Sequence, residues 1–517
     1  MRIATNVSAI VSNNALQKSQ DRLTKSIARL SSGYKINSSS DDAAGYAISE
    51  KMRLQLRGLN QADNNAADGV SVLHTAEGAM EEIQSMLARM KELSVQAANG
   101  TNSVDERSAI QSEIDSLNSE IDRISSNTEF NSQTLISGNL SRRVYSNYEG
   151  VNQIEVSDNF VAGNYGITIT QDARQAIVVG NGAVTMSDTA TVTKEQAGTI
   201  SMNGYGIEIS EGDTLASIMG KLVDGADKIG GRVFAITAGA TNDTKVNGTD
   251  YAGYEPQTSY AGNNIVFMTK ESGSSKTMNI TCSNAELANM LGIATAATNS
   301  GMYAEGSDVQ AEFTLDNDGK RVGFADSAVI STSGTRVTVK DVNNRTFVTD
   351  VPSNVAGTQF SDTAKADDKS TATSTQTAKV TQEVTDVGTM SVHVGANENQ
   401  VILIDIPAVT SYTLGTENLN VMTSVTASEA IDTIDTAVAY ANRVRSQMGA
   451  YENRFEHTTN NLGTASENLT SAISTMTDTD MAEEMTEYTS LNVMTQAATS
   501  ILAQANERPS TVLQILQ

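Results

Sequence analysis

The residues in this sequence that could most readily do chemistry are three histidines, His74, His393 and His457, and a lone cysteine, Cys282. A metal centre requires ligands at short, regular spacing, as in HExxH or paired Cys–His motifs, and the three histidines lie far apart without either pattern. There is no GxSxG elbow and no GxxxxGK(S/T) phosphate loop, and the many glycines fall in strand–turn contexts. Cys282, within Asn-Ile-Thr-Cys-Ser, reads as a small buried hydrophobe rather than a nucleophile. The expectation is therefore a non-enzyme without catalytic residues, cofactor or metal.

What the residue types do support is helix association. Near the C-terminus Met481, Met485, Tyr488, Leu491, Met494, Ala498, Ile501 and Ala505 succeed one another at steps of three or four, the spacing of a coiled-coil seam. Thr477 or Asp478 offers an N-cap, acids Asp480, Glu483 and Glu484 suit the positive dipole end, and Arg508-Pro509 predicts the stop. Beyond it, Val512, Leu513, Ile515 and Leu516 would stay wet in a monomer. Near the N-terminus Leu16, Leu23, Ile27 and Leu30 form a second seam, stepping by seven, four and three. Residues 1–35 carry six bases against Asp21, whereas residues 478–517 carry six acids against Arg508. Complementary seams of opposite charge predict that the two ends pair.

The whole chain sets the frame for these elements. It has 517 residues, enough for three or more domains, and a formal charge of −26, which argues against a nucleic-acid or anionic-membrane partner. No run of 18 apolar residues could span a bilayer, and Met1–Ala15 lacks the apolar core of a cleaved signal peptide. With no Trp and few other aromatics, long helices must be held by aliphatic and Met contacts, each fully buried side chain contributing roughly 1.5–3 kcal/mol.

In chain order, SSSDDAAG (Ser38–Gly45) breaks the first helix and offers Asp41 or Asp42 as the next cap. A long helix over about 60–98 carries Ile83, Leu87, Met90, Leu93 and Ala97, with Gly69 and Gly78 marking close packing or a bend. Residues 104–127 give the cleanest heptads, Ile110, Ile114, Leu117, Ile121 and Ile124, on a helix antiparallel to its predecessor. From about 141 to 420 the chain reads as mainly β, for example at Tyr165–Thr170, Ile207–Ile209, Arg336–Val339 and Val401–Ile404. One helix inside it is capped by Asp213 or Thr214, and residues 361–390 read as a solvated loop. Helical periodicity returns at Ala427 with two seams, Ile431, Ile434, Val438 and Ala441, then Leu462, Ser466, Leu469, Ile473 and Met476.

These residues resemble the bacterial flagellin family. The likeness is carried by LSSGYKINSSSDDAAGYAISEKM (Leu30–Met52), LARMKELSVQAANGTNS (Leu87–Ser103) and SEIDSLNSEIDRISSNTEFNSQTL (Ser112–Leu135) at one end. RVRSQMGAYENRFEHTTNNL (Arg443–Leu462), ENLTSAISTMTDTDMAEEM (Glu467–Met485) and ILAQANERPSTVLQILQ (Ile501–Gln517) carry it at the other. The resemblance implies an α+β multi-domain fold, with paired N- and C-terminal long helices in a coiled-coil-like bundle and a mainly β centre projecting outward. The implied division is 1–45 with 475–517 as a helical core layer, 46–175 with 391–474 as a helical bundle with β-hairpins, and 176–390 as a variable outer region. It implies a self-assembling subunit of the extracellular flagellar filament, a helical homo-polymer for motility. Export would run through the flagellar type III apparatus with an export chaperone and no cleaved signal. Filament cap and hook-junction proteins would be further partners, without nucleic acid or membrane insertion.

The seam residues Leu16, Leu23, Ile27, Leu30, Met485, Leu491, Ile501, Leu513 and Leu516 would then supply the self-assembly contacts. The family's Toll-like receptor 5 motif falls on Arg89, Leu93, Gln96 and Glu113, implying an animal receptor for the monomer. Two alternatives are a hook–filament junction protein and a filament subunit with a binding module in its centre.

Overall fold

The computed structural model describes residues 6–157, 160–237, 243–245, 259–293, 301–316, 318–342, 345–353, 355–356, 359–361, 371–374, 377–385 and 387–515. Its helices are α1 (Val7–Ser32), α2 (Ala43–Ala98), α3 (Val104–Asn127), α4 (Leu215–Lys228), α5 (Ala285–Met290), α6 (Ser411–Leu414), α7 (Ser424–Thr477) and α8 (Met481–Ile515). Long helices at both ends thus flank a β-rich middle. The chain divides into a terminal unit, Met1–Val70 with Val392–Ile402 and Asn453–Gln517, and a central unit, Ser71–Ser391 with Leu403–Glu452.

In the terminal unit α1 packs along α8. Asn6 caps α1 by accepting from Ala9 N at 3.1 Å, and Gly33 ends it in the left-handed region at φ 78°, its N–H donating to Arg29 O at 2.8 Å. The next turn ties both ends of the chain: Lys35 N donates to Thr477 O at 2.7 Å and Thr479 N to Gly33 O at 2.9 Å. Asp42 caps α2, accepting from Ala44 N and Gly45 N at 3.1 and 3.0 Å, whereas Asp41 folds back onto Ser38 and Asn37. The Ser38 hydrogen bond is the main cause that holds the Asp41 carboxyl below its usual value. The cap of α8 is Asp480, which accepts from Ala482 N and Glu483 N at 2.9 and 3.2 Å, rather than Thr477 or Asp478. Nor does Pro509 stop α8, which continues to Ile515.

The middle of this unit shows why Gly69 is a glycine. A Cβ there would lie 2.9 Å from Phe455 Cζ, so the missing side chain is the slot for the fully buried Phe455 ring. Gly78, in the central unit, faces open space and packs against nothing.

The helical part of the central unit joins α2 to α7 and α3. On α2 the buried positions Leu73, Ala76, Met80, Ile83, Leu87, Met90, Ser94 and Ala97 keep steps of three and four, as do Ala427, Ala430, Ile434, Ala437, Ala441, Val444, Met448 and Tyr451 on α7. Contacts from Lys91 to Asp435 (2.5 Å), Gln84 to Asn442 (2.7 Å) and Glu77 to Arg445 (3.1 Å) run in opposite chain directions, which makes the pair antiparallel. Helix α3 begins with a capping box, Ser103 with Glu106, and buries Ile110, Ile114 and Ile121.

Among the described residues the β-rich region forms two large apolar cores and one smaller cluster, Ile177, Val179, Phe234, Ile236, Val266 and Met268. In one large core, antiparallel sheets ordered Gln310–Phe313, Gly163–Gln171, Ala378–Val384, Val144–Ser146 and Val329–Ser333, Arg336–Lys340, Thr346–Asp350, Asn152–Val156 enclose Ile167, Ile169, Val337, Val339 and Val380. Phe160, Tyr165, Phe324 and Phe347 stack inside it, with Tyr165 and Phe324 centroids 5.1 Å apart. The expected solvated loop thus contains a central strand: Ala378, Val380, Gln382 and Val384 point inward at alternate positions. The expected division at 175/176 also differs from the pairing, because strands within 144–171 hydrogen-bond to strands within 310–384.

The other large core is built from residues that lie, in sequence, between strands of the first. Sheets Gln175–Val179, Asn263–Ser272, Gly231–Thr237 and Met302–Glu305, Thr277–Cys282, Gly198–Met202, Tyr205–Ile209 pack with α4, whose cap Thr214 accepts from Ser217 N at 3.3 Å. Arg174 and Ser307 close its base with reciprocal backbone hydrogen bonds of 2.8 and 3.0 Å.

Candidate assembly surfaces

The α1–α8 seam combines small and large residues, in alternation from Ser12 to Leu30 on α1. Along α1 the shielded positions are Ala9, Ser12, Leu16, Ser19, Leu23, Ser26 and Leu30, and along α8 they are Glu484, Tyr488, Leu491, Thr495, Ala498, Leu502 and Ala505. Both sets keep alternating steps of three and four. The hydroxyls of Ser19 and Thr495 share a hydrogen bond of 3.0 Å, and Asn6 Nδ2 reaches Ala505 O at 2.9 Å. Arg29 approaches the buried Glu484 at 3.6 Å, so the helices run antiparallel. Stepping by turns from Ser19–Thr495 sets Leu16 against Ala498, Ser12 against Leu502 and Ser26 against Tyr488. At these levels a small residue faces a large one, whereas the same stepping sets Leu23 against Leu491 and Leu30 against Glu484.

This seam differs in phase from the one the apolar spacing predicts. Leu491 is buried, and Leu16, Leu23 and Leu30 are half-buried within it, but Ile27, Met485 and Ile501 stand off it, 48, 50 and 56 % exposed. Met494 and Ile501 immediately precede seam positions and share one flank of α8, whereas Met485 follows Glu484 on the other. Met481, Val493, Val7, Ile10 and Val11 are exposed too. The side chain of Leu513 and the whole of Leu516 lie outside the described residues. Sequence spacing missed Ser12, Ser19, Ser26 and Glu484 because they are polar; the seven-residue recurrence of serine was the signal that marked the first three.

On the central unit, Arg89, Gln96 and Glu113 are exposed, and Arg89 Nε donates to Glu113 Oε1 at 2.9 Å across α2 and α3. The hydrogen bonds that Arg89 donates to the Glu113 carboxylate, and then to that of Glu92, raise its pKa. Leu93 is 2 % exposed and turns into the helix core, so it contributes packing rather than surface. The physical reason is its place one residue before the seam position Ser94, on a stretch where both face inward.

The residues with catalytic potential behave as packing or surface groups. Burial pushes the Cys282 thiol up, and its Sγ lies 3.2 Å from Asn284 O. His393 and His457 lie in the terminal unit, while His74 lies in the central unit, with Nε2 3.6 Å from Glu452 Oε1. No helix of the described residues is long and apolar enough to cross a membrane.

Comparison with known proteins places this architecture. Residues 3–141 match the bacterial flagellin N-terminal helical region and residues 431–516 the bacterial flagellin C-terminal helical region. A flagellin of Clostridium tyrobutyricum is 30 % identical over 508 residues, spanning 96 % of this chain and 98 % of that protein. A flagellin of Salmonella typhimurium is 31 % identical over 545 residues, spanning 100 % of this chain and 99 % of that one. Among solved structures, FliC from Burkholderia pseudomallei matches with a TM-score of 0.22 and 14 % identity, covering 75 % of this chain and 99 % of its own. The hook-associated protein-3 of Legionella pneumophila matches with a TM-score of 0.28 and 12 % identity, covering 83 % and 98 %. With relatives matched along nearly their whole length and both terminal regions recognised, the chain belongs to the bacterial flagellins, the structural family of flagellar filament subunits.

Proposed function

We propose that the helical ends polymerise this chain into the filament through the flanks of the α1–α8 pair. The observation that carries the reading is the row of large apolar side chains those flanks leave in water, Val7, Ile10, Val11, Ile27, Met485, Val493, Met494 and Ile501. A subunit whose contacts are heterologous and do not close into a ring propagates a helical polymer. In the sequence Leu513 and Leu516 add further apolar residues to the C-terminal segment. The cap and hook-junction proteins meet the same terminal helices, and export proceeds through the flagellar type III apparatus with a chaperone covering those flanks beforehand. Purified full-length chain seeded with filament fragments is expected to give long filaments in electron microscopy. Short caps or no growth would favour the junction-protein alternative.

A second reading concerns Toll-like receptor 5. Its support is the family motif together with the exposed Arg89–Glu113 pair and Gln96 beside it; Leu93 serves this patch from beneath. Arg89→Ala with Glu113→Ala is expected to weaken binding of the monomer to the receptor ectodomain at least roughly tenfold. An unchanged affinity in the double variant would refute it.

A further inference from the structure

We infer that His74, Glu77 and Glu452 form a binding site for a zinc-class divalent cation between α2 and α7. His74 and Glu77 are three residues apart on α2 and therefore share a face, and the antiparallel α7 brings Glu452 to it. One ligand atom from each of the three residues lies within 4.8 Å of the others, and His74 Nε2 is 3.6 Å from Glu452 Oε1. Ligand atoms bound at about 2.1 Å around a tetrahedral ion are about 3.4 Å apart, so the His74–Glu452 edge is already near that geometry. The remaining approach needs only rotation of partly exposed side chains.

The ligand chemistry narrows the ion. One imidazole nitrogen with two carboxylates suits zinc, whereas calcium and magnesium take oxygen ligands. Glu77 is also oriented from behind: Arg445 Nε lies 3.1 Å from its Oε1, Arg445 Nη1 donates to Gln84 Oε1 at 2.9 Å, and Gln84 Nε2 donates to Asn442 Oδ1 at 2.7 Å. This chain of hydrogen bonds holds the Glu77 carboxylate through one oxygen, the arrangement by which outer partners orient a metal ligand. Arg445 also offsets part of the negative charge the two glutamates would bring together. With side chains 57, 35 and 38 % exposed, the remaining coordination positions face water and the ion exchanges with solvent. Bound there, it joins α2 to α7 and stabilises the folded state by mass action.

Isothermal titration of the full-length monomer with zinc chloride tests the site. One saturable equivalent is expected, with affinity at least about tenfold weaker in His74→Ala and in Glu452→Gln. Zinc should raise the thermal midpoint of the parent but not of His74→Ala, while His457→Ala should bind like the parent. Absence of saturable binding by the parent, or undiminished binding by His74→Ala, overturns the assignment. Equal binding of calcium overturns its zinc-class selectivity.

Discussion

The side-chain amide of Asn6 donates to the carbonyl of Ala505 at 2.9 Å, the very carbonyl left without a helical donor four residues before Pro509. The same Asn6 accepts from Ala9 N, so one residue caps α1 and satisfies the break that proline opens in α8. This reciprocity offers a physical account of why α8 passes through Pro509 instead of ending there. Replacing Asn6 by Ala removes a cap contributing about 1 kcal/mol and orphans a carbonyl at a further cost of about 1–3 kcal/mol. In assembled filaments, where both ends are protected, amides in the first turn of α1 and in α8 beyond Ala505 should then exchange faster, with those of the central unit unchanged. Unaltered exchange at both ends would show that the latch carries no weight in solution.

The terminal pair is held by a two-helix seam with several small or polar members, and isolated helices gain little to offset their ordering entropy. Residues 1–40 and 475–517 are accordingly expected to exchange rapidly in the monomer and to become protected on assembly. Deleting Leu513–Gln517 should block polymerisation while the β strands remain folded. Normal filament growth by that truncated chain, measured by sedimentation, would contradict the role given to the apolar end.

Flank and seam substitutions should separate. Ile501→Asp or Met494→Asp, at exposed positions, should leave α1–α8 pairing intact but abolish seeded growth. Leu491→Ala, in the seam, should loosen the pair itself, since truncating a buried Leu costs about 2–5 kcal/mol. Equal loss of monomer helicity in all three variants would remove the distinction.

Gly69→Ala sets two effects against each other. Alanine gains about 1 kcal/mol of helix propensity, but its Cβ would meet the buried Phe455 ring at 2.9 Å, and overpacking of this kind costs typically 1–3 kcal/mol. Destabilisation should win, and Phe455→Leu should relieve part of it in the double variant. A double-mutant cycle with no coupling between the two positions would disprove the slot.

Burial raises the Glu155 carboxyl above the usual glutamate range, against the opposing pull of Arg443, which lies 2.8 Å away. Above the usual glutamate range the folded protein holds a proton the unfolded chain releases, so this group's contribution to stability falls as pH rises through its raised folded pKa. Glu155→Gln should flatten that part of the stability–pH curve while retaining a hydrogen bond to Arg443. Denaturant midpoints recorded across acidic pH check it; an unchanged slope would mean the carboxylate is ionised throughout.

Much of this protein was legible before folding. Apolar residues at steps of three and four mark α2, α3 and α7 because a helix can bury only one stripe, and alternating β-branched residues mark the strands at Tyr165–Thr170 and Arg336–Val339 for the same reason at period two. Both end signatures also named the family. Tertiary structure decided what local pattern leaves open. On α8 apolar residues lie around much of the circumference, so only packing against α1 selects Glu484 over its neighbour Met485 and leaves Met494 and Ile501 outside. Leu93 turned inward because the helix core, not its spacing from Arg89, governs its burial. The strand Ala378–Val384 emerged from a polar stretch once partners at 163–171 and 144–146 could pair it. The meeting of His74 with Glu452 depends on α7 returning antiparallel beside α2, a proximity that sequence separation conceals.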